Sequence, residues 1–212
     1  MARPPRLRQL LRFDQRLQRR QRLKTGRIAG VDEAGRGPLA GPVVAGAVLL
    51  HSDRFTTPVD DSKQLTPLAR ERAYREILRS ASIGVGAAGH EEIDRLGIQA
   101  ATHLAMIRAL QKLPASPELV LVDGNSVPGS CPLPMLPIID GDAKSLSIAC
   151  ASIVAKVVRD QWMDLVHRLH PEYGFERHKG YGTAEHLEAL KAIGPCRFHR
   201  FSFAPIRWVI GE

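Results

Sequence analysis

Arg27-Ile-Ala-Gly-Val-Asp-Glu-Ala-Gly-Arg-Gly-Pro-Leu-Ala-Gly-Pro-Val-Val-Ala-Gly-Ala-Val-Leu-Leu50 decides the fold. Ile28 to Val31 is an apolar run stopped by Asp32 and Glu33, which reads as a buried strand ending in two acids. Gly35-Arg36-Gly37-Pro38 is a bend. Pro42 to Leu50 then reads as a second, valine-rich strand, so the two are expected to lie side by side and antiparallel. Gly35 to Ala40 also fits the dinucleotide-binding spacing G-x-G-x-x-A, but that motif must open a helix. Here Pro38 and Gly41-Pro42 lead into a strand, and the two acids would repel a pyrophosphate. A dinucleotide site is therefore set aside.

Working outward, Thr66-Pro67 reads as an N-cap followed by proline at the first helical position, opening a helix that runs to about Ser80. Ile83 to Ala88 is a short strand of small residues, and about Ile98 to Leu113 is helical. Leu119 to Val122 is an apolar run ending at the turn Asp123-Gly124-Asn125. A proline-rich loop follows, holding Pro128, Pro132, Pro134 and Pro137. Ser145 to about Leu169 is the longest helix, Thr183 to Ala192 is the last, and the tail from Gly194 reads as loop. Strands separated by helices indicate an α/β domain. With its first two strands antiparallel, the sheet is expected to be mixed, with a small C-terminal helical part.

Composition is that of an ordinary globular protein: 44% hydrophobic and 25% charged residues over 212 positions exclude a collagen-like or wholly disordered chain. No apolar run approaches the roughly 18 residues of a membrane span. The three cysteines (Cys131, Cys150, Cys196) lack C-x-x-C spacing, which argues against a disulfide framework or structural zinc and fits a reducing, cytoplasmic setting. The net charge of +8 is unevenly placed: residues 1–27 hold ten basic side chains and one acid, Asp14, whereas the remainder holds 20 basic and 21 acidic. We divide the chain into a basic arm, residues 1–25, helical or disordered, and a body, residues 26–212. Leu7, Leu10, Leu11 and Leu17 fall near helical spacing in the arm. Such an arm suits a polyanion such as nucleic acid, or is simply a solvated tail.

Four acids stand where apolar elements stop: Asp32, Glu33, Asp123 and Asp142. Strand ends are where open α/β sheets place ligand sites. Acids converging there repel one another and hold their protons more tightly unless a cation neutralises them. An all-oxygen set selects hard divalent ions, Mg²⁺ or Mn²⁺. Singly, each acid has an ordinary explanation: Asp123 as a turn former, Asp142 as a helix-start residue. Asp140 competes with Asp142, and spacing does not choose between them.

Val31-Asp-Glu-Ala-Gly-Arg-Gly-Pro-Leu-Ala-Gly-Pro-Val-Val44 closely resembles the first signature of bacterial ribonuclease HII, the type 2 ribonuclease H. Asp61-Ser-Lys-Gln-Leu65, Val122-Asp-Gly-Asn125, Gly141 to Ile148, Ala151 to Lys156 and His178-Lys-Gly-Tyr-Gly-Thr183 resemble its later blocks, in order, over roughly residues 26 to 207. The resemblance implies an RNase H-like mixed sheet flanked by helices. It implies endonucleolytic cleavage of the RNA strand of RNA–DNA hybrids, and incision 5′ to single ribonucleotides in duplex DNA by two-metal hydrolysis, leaving 3′-hydroxyl and 5′-phosphate ends.

By the same resemblance Asp32, Glu33, Asp123 and Asp142 are the catalytic, metal-binding acids. Gly35, Arg36 and Gly37 form the loop that reads the ribose 2′-hydroxyl. Tyr181 packs on the following deoxynucleotide, and Lys63, Lys144 and Lys179 are phosphate contacts. The partners expected are RNA–DNA hybrid and ribonucleotide-containing duplex, with no membrane, for a monomeric enzyme. The alternatives are a non-catalytic duplex binder or a nuclease of the same fold acting on DNA. Two departures stand out: Cys150 replaces a small apolar residue, and Phe201 stands where a basic residue is common.

Overall fold

The computed structural model describes residues 5–53, 55–59, 62 and 64–211. Five strands form one mixed sheet: β1 (Ile28–Ala34), β2 (Val43–Leu50), β3 (Ala81–Ala88), β4 (Leu119–Asp123) and β5 (Met135–Ile138). Their order is β3-β2-β1-β4-β5. The β1–β2 and β2–β3 pairs are antiparallel, and β1–β4 and β4–β5 are parallel. The first two strands thus pair as their glycine- and proline-rich connection requires.

Strand alternation sorts the core into two layers. Val31, Val43, Ala45 and Ala47 point to one face, where α3 (His90–Leu96) and α4 (Ile98–Gln111) supply Ile93, Ala101, Ala105 and Ala109. Val48 points to the other, where α2 (Pro67–Ser80) and α5 (Leu146–Leu169) contribute Ile77, Leu146, Cys150 and Ile153. Thr66 caps α2, accepting the Ala69 amide at 3.2 Å. Beyond α5 a second small core forms around Met163, Tyr173, Phe175, Leu190 and Ile206. It gathers a 3-10 turn (Pro171–Tyr173) with α6 (Phe175–His178), α7 (Ala184–Ile193) and α8 (Ala204–Ile210). Leu39 and Ala40, from the loop between β1 and β2, are part of this second core. No helix among the described residues is long and apolar enough to cross a membrane.

Besides the 3-10 turn and α6, three elements are absent from the sequence reading. Within the proline-rich loop, Met135–Ile138 form β5, with Pro137 opposite Val122. A proline fits there because the strand is at the sheet edge, where one row of amides needs no partner. His90–Leu96 form α3, held by the single buried anchor Ile93. In the tail, Ala204–Ile210 form α8, anchored by Ile206. Helices of seven residues are too short for a periodic signal.

The basic arm is helical from Pro5 to Arg20, as α1, and it is docked. Leu7, Leu10 and Leu11 enter the same core as α5, leaving Arg8, Arg12, Arg16 and Arg19 exposed. Asp14 is buried, and its Oδ2 accepts the Ser147 amide at 3.0 Å in the first turn of α5. That turn has unpaired amides and the positive end of the helix dipole. Burial nevertheless dominates and raises the Asp14 carboxyl from 3.8 to about 6. The folded chain therefore binds more protons than the unfolded chain between these values, so Asp14 costs stability as pH rises from about 4 to 6. We expect urea unfolding of the Asp14→Asn variant to show a stability gain over the native chain that grows by about 2 kcal/mol from pH 4 to pH 7. A pH-independent difference would contradict this.

Candidate active site

The parallel pairing of β1 with β4 sets Val31 opposite Val122, which brings Asp32 beside Asp123, one residue further on each strand. Asp32 is buried, and its Oδ1 accepts the Glu33 amide at 2.7 Å. Burial pushes the Asp32 carboxyl well above the usual range, and the neighbouring charges of Glu33 and Asp123 push it further. The Ser152 hydroxyl and the Glu33 amide only temper that rise. Asp123 Oδ1 accepts the amides of Gly141 at 2.7 Å and Asp142 at 3.4 Å, drawing the segment before α5 over the strand ends. Asp142 is buried there, while Asp140 is exposed and lies 3.8 Å from the Lys144 ammonium. The two candidates at this position are therefore in different environments.

Glu33 opens onto a cleft of about 460 Å³, lined also by Gly35, Arg36, Gly37, Lys156 and Tyr181. Arg36 bridges Glu33 at 3.4 Å and Gln99 at 2.8 Å. The Tyr181 ring is 46% exposed and stands against the Gly37 backbone, with the Arg159 guanidinium 5.8 Å from its centroid. Among the described residues, no three His, Cys, Asp or Glu side chains stand close enough to hold a metal ion as they are placed.

The comparisons with known proteins agree on one family. The ribonuclease HII family model matches residues 29–206. Ribonuclease HII of Chlamydia trachomatis serovar A is 52% identical over 188 residues, which is 88% of this chain and 86% of that one. The Geobacillus thermodenitrificans enzyme is 54% identical over 186 residues, 87% and 71% of the two chains. Among solved structures, ribonuclease H2 of Pyrococcus horikoshii superposes with a TM-score of 0.73 at 26% identity, covering 86% and 96%. Ribonuclease HII of Archaeoglobus fulgidus, solved in complex with PCNA, gives 0.70 at 26% identity, covering 84% and 95%.

The chain belongs to the ribonuclease HII family.

It is a metal-dependent endoribonuclease that cuts the RNA of RNA–DNA hybrids. In this ribonuclease HII chain the structure sets Asp32 beside Glu33 and Asp123 and draws Asp142 to the end of β4, without closing any three of these acids around a metal position, and separately gathers Gly35, Arg36, Gly37 and Tyr181 around one cleft. The lysines are placed otherwise. Lys144 donates to the Ile139 carbonyl at 2.6 Å, and Lys179 is bound to Asp164. Lys63 lies outside the described residues.

Sequence reasoning missed the groups that support the cleft. Arg159 is buried and donates to the carbonyls of Pro42 (3.1 Å), Ala40 (3.3 Å) and Lys179 (3.0 Å). Arg200, also buried, donates to those of Gly35, Arg36 and Gly41. Burial and the nearby Arg159 push Arg200 down to about 9, still protonated at neutral pH. His199 accepts the Cys196 amide on Nδ1 at 2.9 Å and meets His186 Nε2 at 3.0 Å through its own Nε2. His186 Nδ1 lies 2.9 Å from the Tyr181 carbonyl. The pattern His199-Arg200 was visible in the sequence, but charged and polar residues read as surface.

Gly35 has φ +98°, and a Cβ there would sit 1.9 Å from Arg159 Nε and 2.8 Å from the Pro42 carbonyl. The backbone conformation alone disfavours alanine by about 1–3 kcal/mol, and the clash would displace Arg159. The Gly35→Ala variant should lose thermal stability and nearly all cleavage of a hybrid. A melting midpoint and turnover within error of the native chain would contradict this.

Proposed function

We propose that this ribonuclease HII incises duplex DNA 5′ to a single embedded ribonucleotide, as well as cutting RNA tracts, and does so as a single chain. The observation carrying this reading is the proximity of two features. Asp32 lies buried between Glu33 and Asp123, whose charges repel its own. A backbone loop, Gly35-Arg36-Gly37, borders the cleft beside them, facing Tyr181.

The chemistry of the donor set suits hard divalent cations. The ligands are all oxygen, and the Asp32 charge is poorly compensated by the protein itself. Oδ1 of Asp32 and of Asp123 is engaged by a backbone amide at 2.7 Å, so ion binding would turn side chains and leave the strands in place. Asp32, Glu33, Asp123 and Asp142 would hold Mg²⁺ or Mn²⁺. Two such ions, when bound, would supply Lewis-acid stabilisation of charge on the entering and leaving oxygens.

The chain's own groups provide selection. The 2′-hydroxyl is both donor and acceptor and alone separates RNA from DNA at one nucleotide. Backbone amides of this loop can approach it because Gly35 and Gly37 have no side chain. Tyr181 offers a flat face to the next sugar. Lys156 and Arg70, both paired with Asp160, line the same cleft and are placed to meet phosphate, whereas Lys179, paired with Asp164, does not line it.

A duplex carrying one ribonucleotide should be nicked on its 5′ side in Mg²⁺ or Mn²⁺, leaving 3′-hydroxyl and 5′-phosphate ends. Asp123→Asn should lower kcat by ~10³-fold or more by removing a charge needed at the reacting phosphate. It keeps an oxygen for the Gly141 amide, so the melting midpoint should hardly change. Binding without a nick, nicking of an all-DNA duplex, or an active Asp123→Asn variant would each defeat the reading.

The exposed arginines of α1 add a phosphate-binding face. Because its leucines complete the core, charge removal is a cleaner probe than deletion. Replacing Arg12, Arg16 and Arg19 by Gln should weaken duplex binding and reduce the salt slope by about 1–3. An unchanged slope at low salt would show that this helix makes no phosphate contact.

A further inference from the structure

Arg200 is fully buried, and all three of its hydrogen bonds go to one short loop. Nη2 donates to the Gly35 carbonyl at 2.6 Å, Nη1 to the Arg36 carbonyl at 2.9 Å, and Nε to the Gly41 carbonyl at 2.9 Å. Its own amide donates to the Leu39 carbonyl at 2.8 Å. The segment behind it is pinned in turn, since Asp94 accepts the amides of Phe201 and Ser202, each at 2.9 Å. Phe203 stacks beneath the guanidinium, 5.1 Å from ring centroid to Cζ.

The geometry of the peptide group makes this grip directional. In a planar trans peptide, the carbonyl and the following N–H point in opposite directions. No peptide bond among the described residues is cis. Holding the Gly35 and Arg36 carbonyls against Arg200 therefore turns the amides of Arg36 and Gly37 to the opposite side. Those are the amides of the loop that borders the cleft.

An apolar residue of similar volume would leave the carbonyls of Gly35, Arg36 and Gly41 without these donors, so the side chain is matched to the backbone of this loop. Arg200 is not spent on a carboxylate partner, because its hydrogen-bond acceptors are all backbone carbonyls. A rigid, planar fork is what distinguishes arginine from lysine here.

We propose that Arg200 is a positioning residue for ribose recognition, which aims the Arg36 and Gly37 amides at the substrate 2′-hydroxyl by gripping the carbonyls behind them. This rests on the reading of Gly35 to Gly37 as the ribose-sensing loop, given above.

The test compares the full chain with Arg200→Lys, which keeps the charge but loses the fork. Affinity is measured in Ca²⁺, under conditions verified to give no cleavage, for two duplexes differing only in one ribonucleotide or deoxynucleotide. Leu190→Ala serves as a control that loosens the same core from α7, away from the loop carbonyls and the ring beneath Arg200. The native chain and Leu190→Ala should prefer the ribonucleotide duplex. Arg200→Lys should bind the all-DNA duplex within about twofold of native and lose about 10-fold or more of the preference.

Retention of the native preference by Arg200→Lys would overturn the proposal. An unfolded Arg200→Lys would overturn it too, because the side chain would then be a requirement of folding rather than of aim. A native chain with no preference would overturn the ribose reading itself, and the proposal with it.

Discussion

Helix α5 lies on the sheet at a distance only glycine allows. A Cβ at Gly30, in the middle of β1, would sit 2.1 Å from the Ser147 carbonyl carbon. This approach sets the rest of the molecule. The residues just before α5 carry Asp142 to the end of β4, where Asp123 accepts two of their amides. One turn further on, the Ser152 hydroxyl reaches Asp32. Two turns beyond that, Arg159 reaches the loop after β1. Met163, a turn later, belongs to the second core. A helix of 24 residues is about 36 Å long, enough to bind acids, loop and C-terminal helices into one unit. Widening the contact at Gly30 would disturb all of these at once.

The distribution of charge along this unit is uneven, and the unevenness is functional. The two buried arginines nearest the loop direct their hydrogen bonds to carbonyls, so they position backbone without neutralising the acids. Arg36 is the nearest exception, at 3.4 Å from Glu33, but its side chain is half exposed and such pairs contribute about 0–1 kcal/mol. The repulsion of Asp32 by Glu33 and Asp123 is therefore left within the protein. That is the condition under which a bound cation gains most.

Much of this was legible from residue order. Ile28 to Leu50 specified the antiparallel pair because its glycines and prolines leave no room for a helix. Thr66 and Thr183 announced their helices because an N-cap hydroxyl is a local device. The acids were legible as strand-end residues, although only pairing register could show that Asp32 and Asp123 are neighbours. What escaped was non-local. β5 is a strand because β4 offers it an edge, against the weight of its proline. α1 is part of the body because Asp14 caps α5 from 133 residues away. Arg159, His186, His199 and Arg200 look like surface residues, and only the folded chain shows that each is buried against a backbone carbonyl.

The histidines extend the same logic to Tyr181. A carbonyl only accepts, so the His186 proton lies on Nδ1 and is donated to the Tyr181 carbonyl. His186 Nε2 then accepts from His199 Nε2, which leaves His199 Nδ1 to accept the Cys196 amide. Each ring is neutral in this chain, and burial keeps it so, holding His186 near 4 and His199 near 3. A second proton on either ring would set two N–H groups face to face. His199 thus tethers Tyr181 through His186, while the adjacent Arg200 holds Gly35 and Arg36. Two consecutive residues, remote from every acid in sequence, fix the relative position of the two elements that border the cleft.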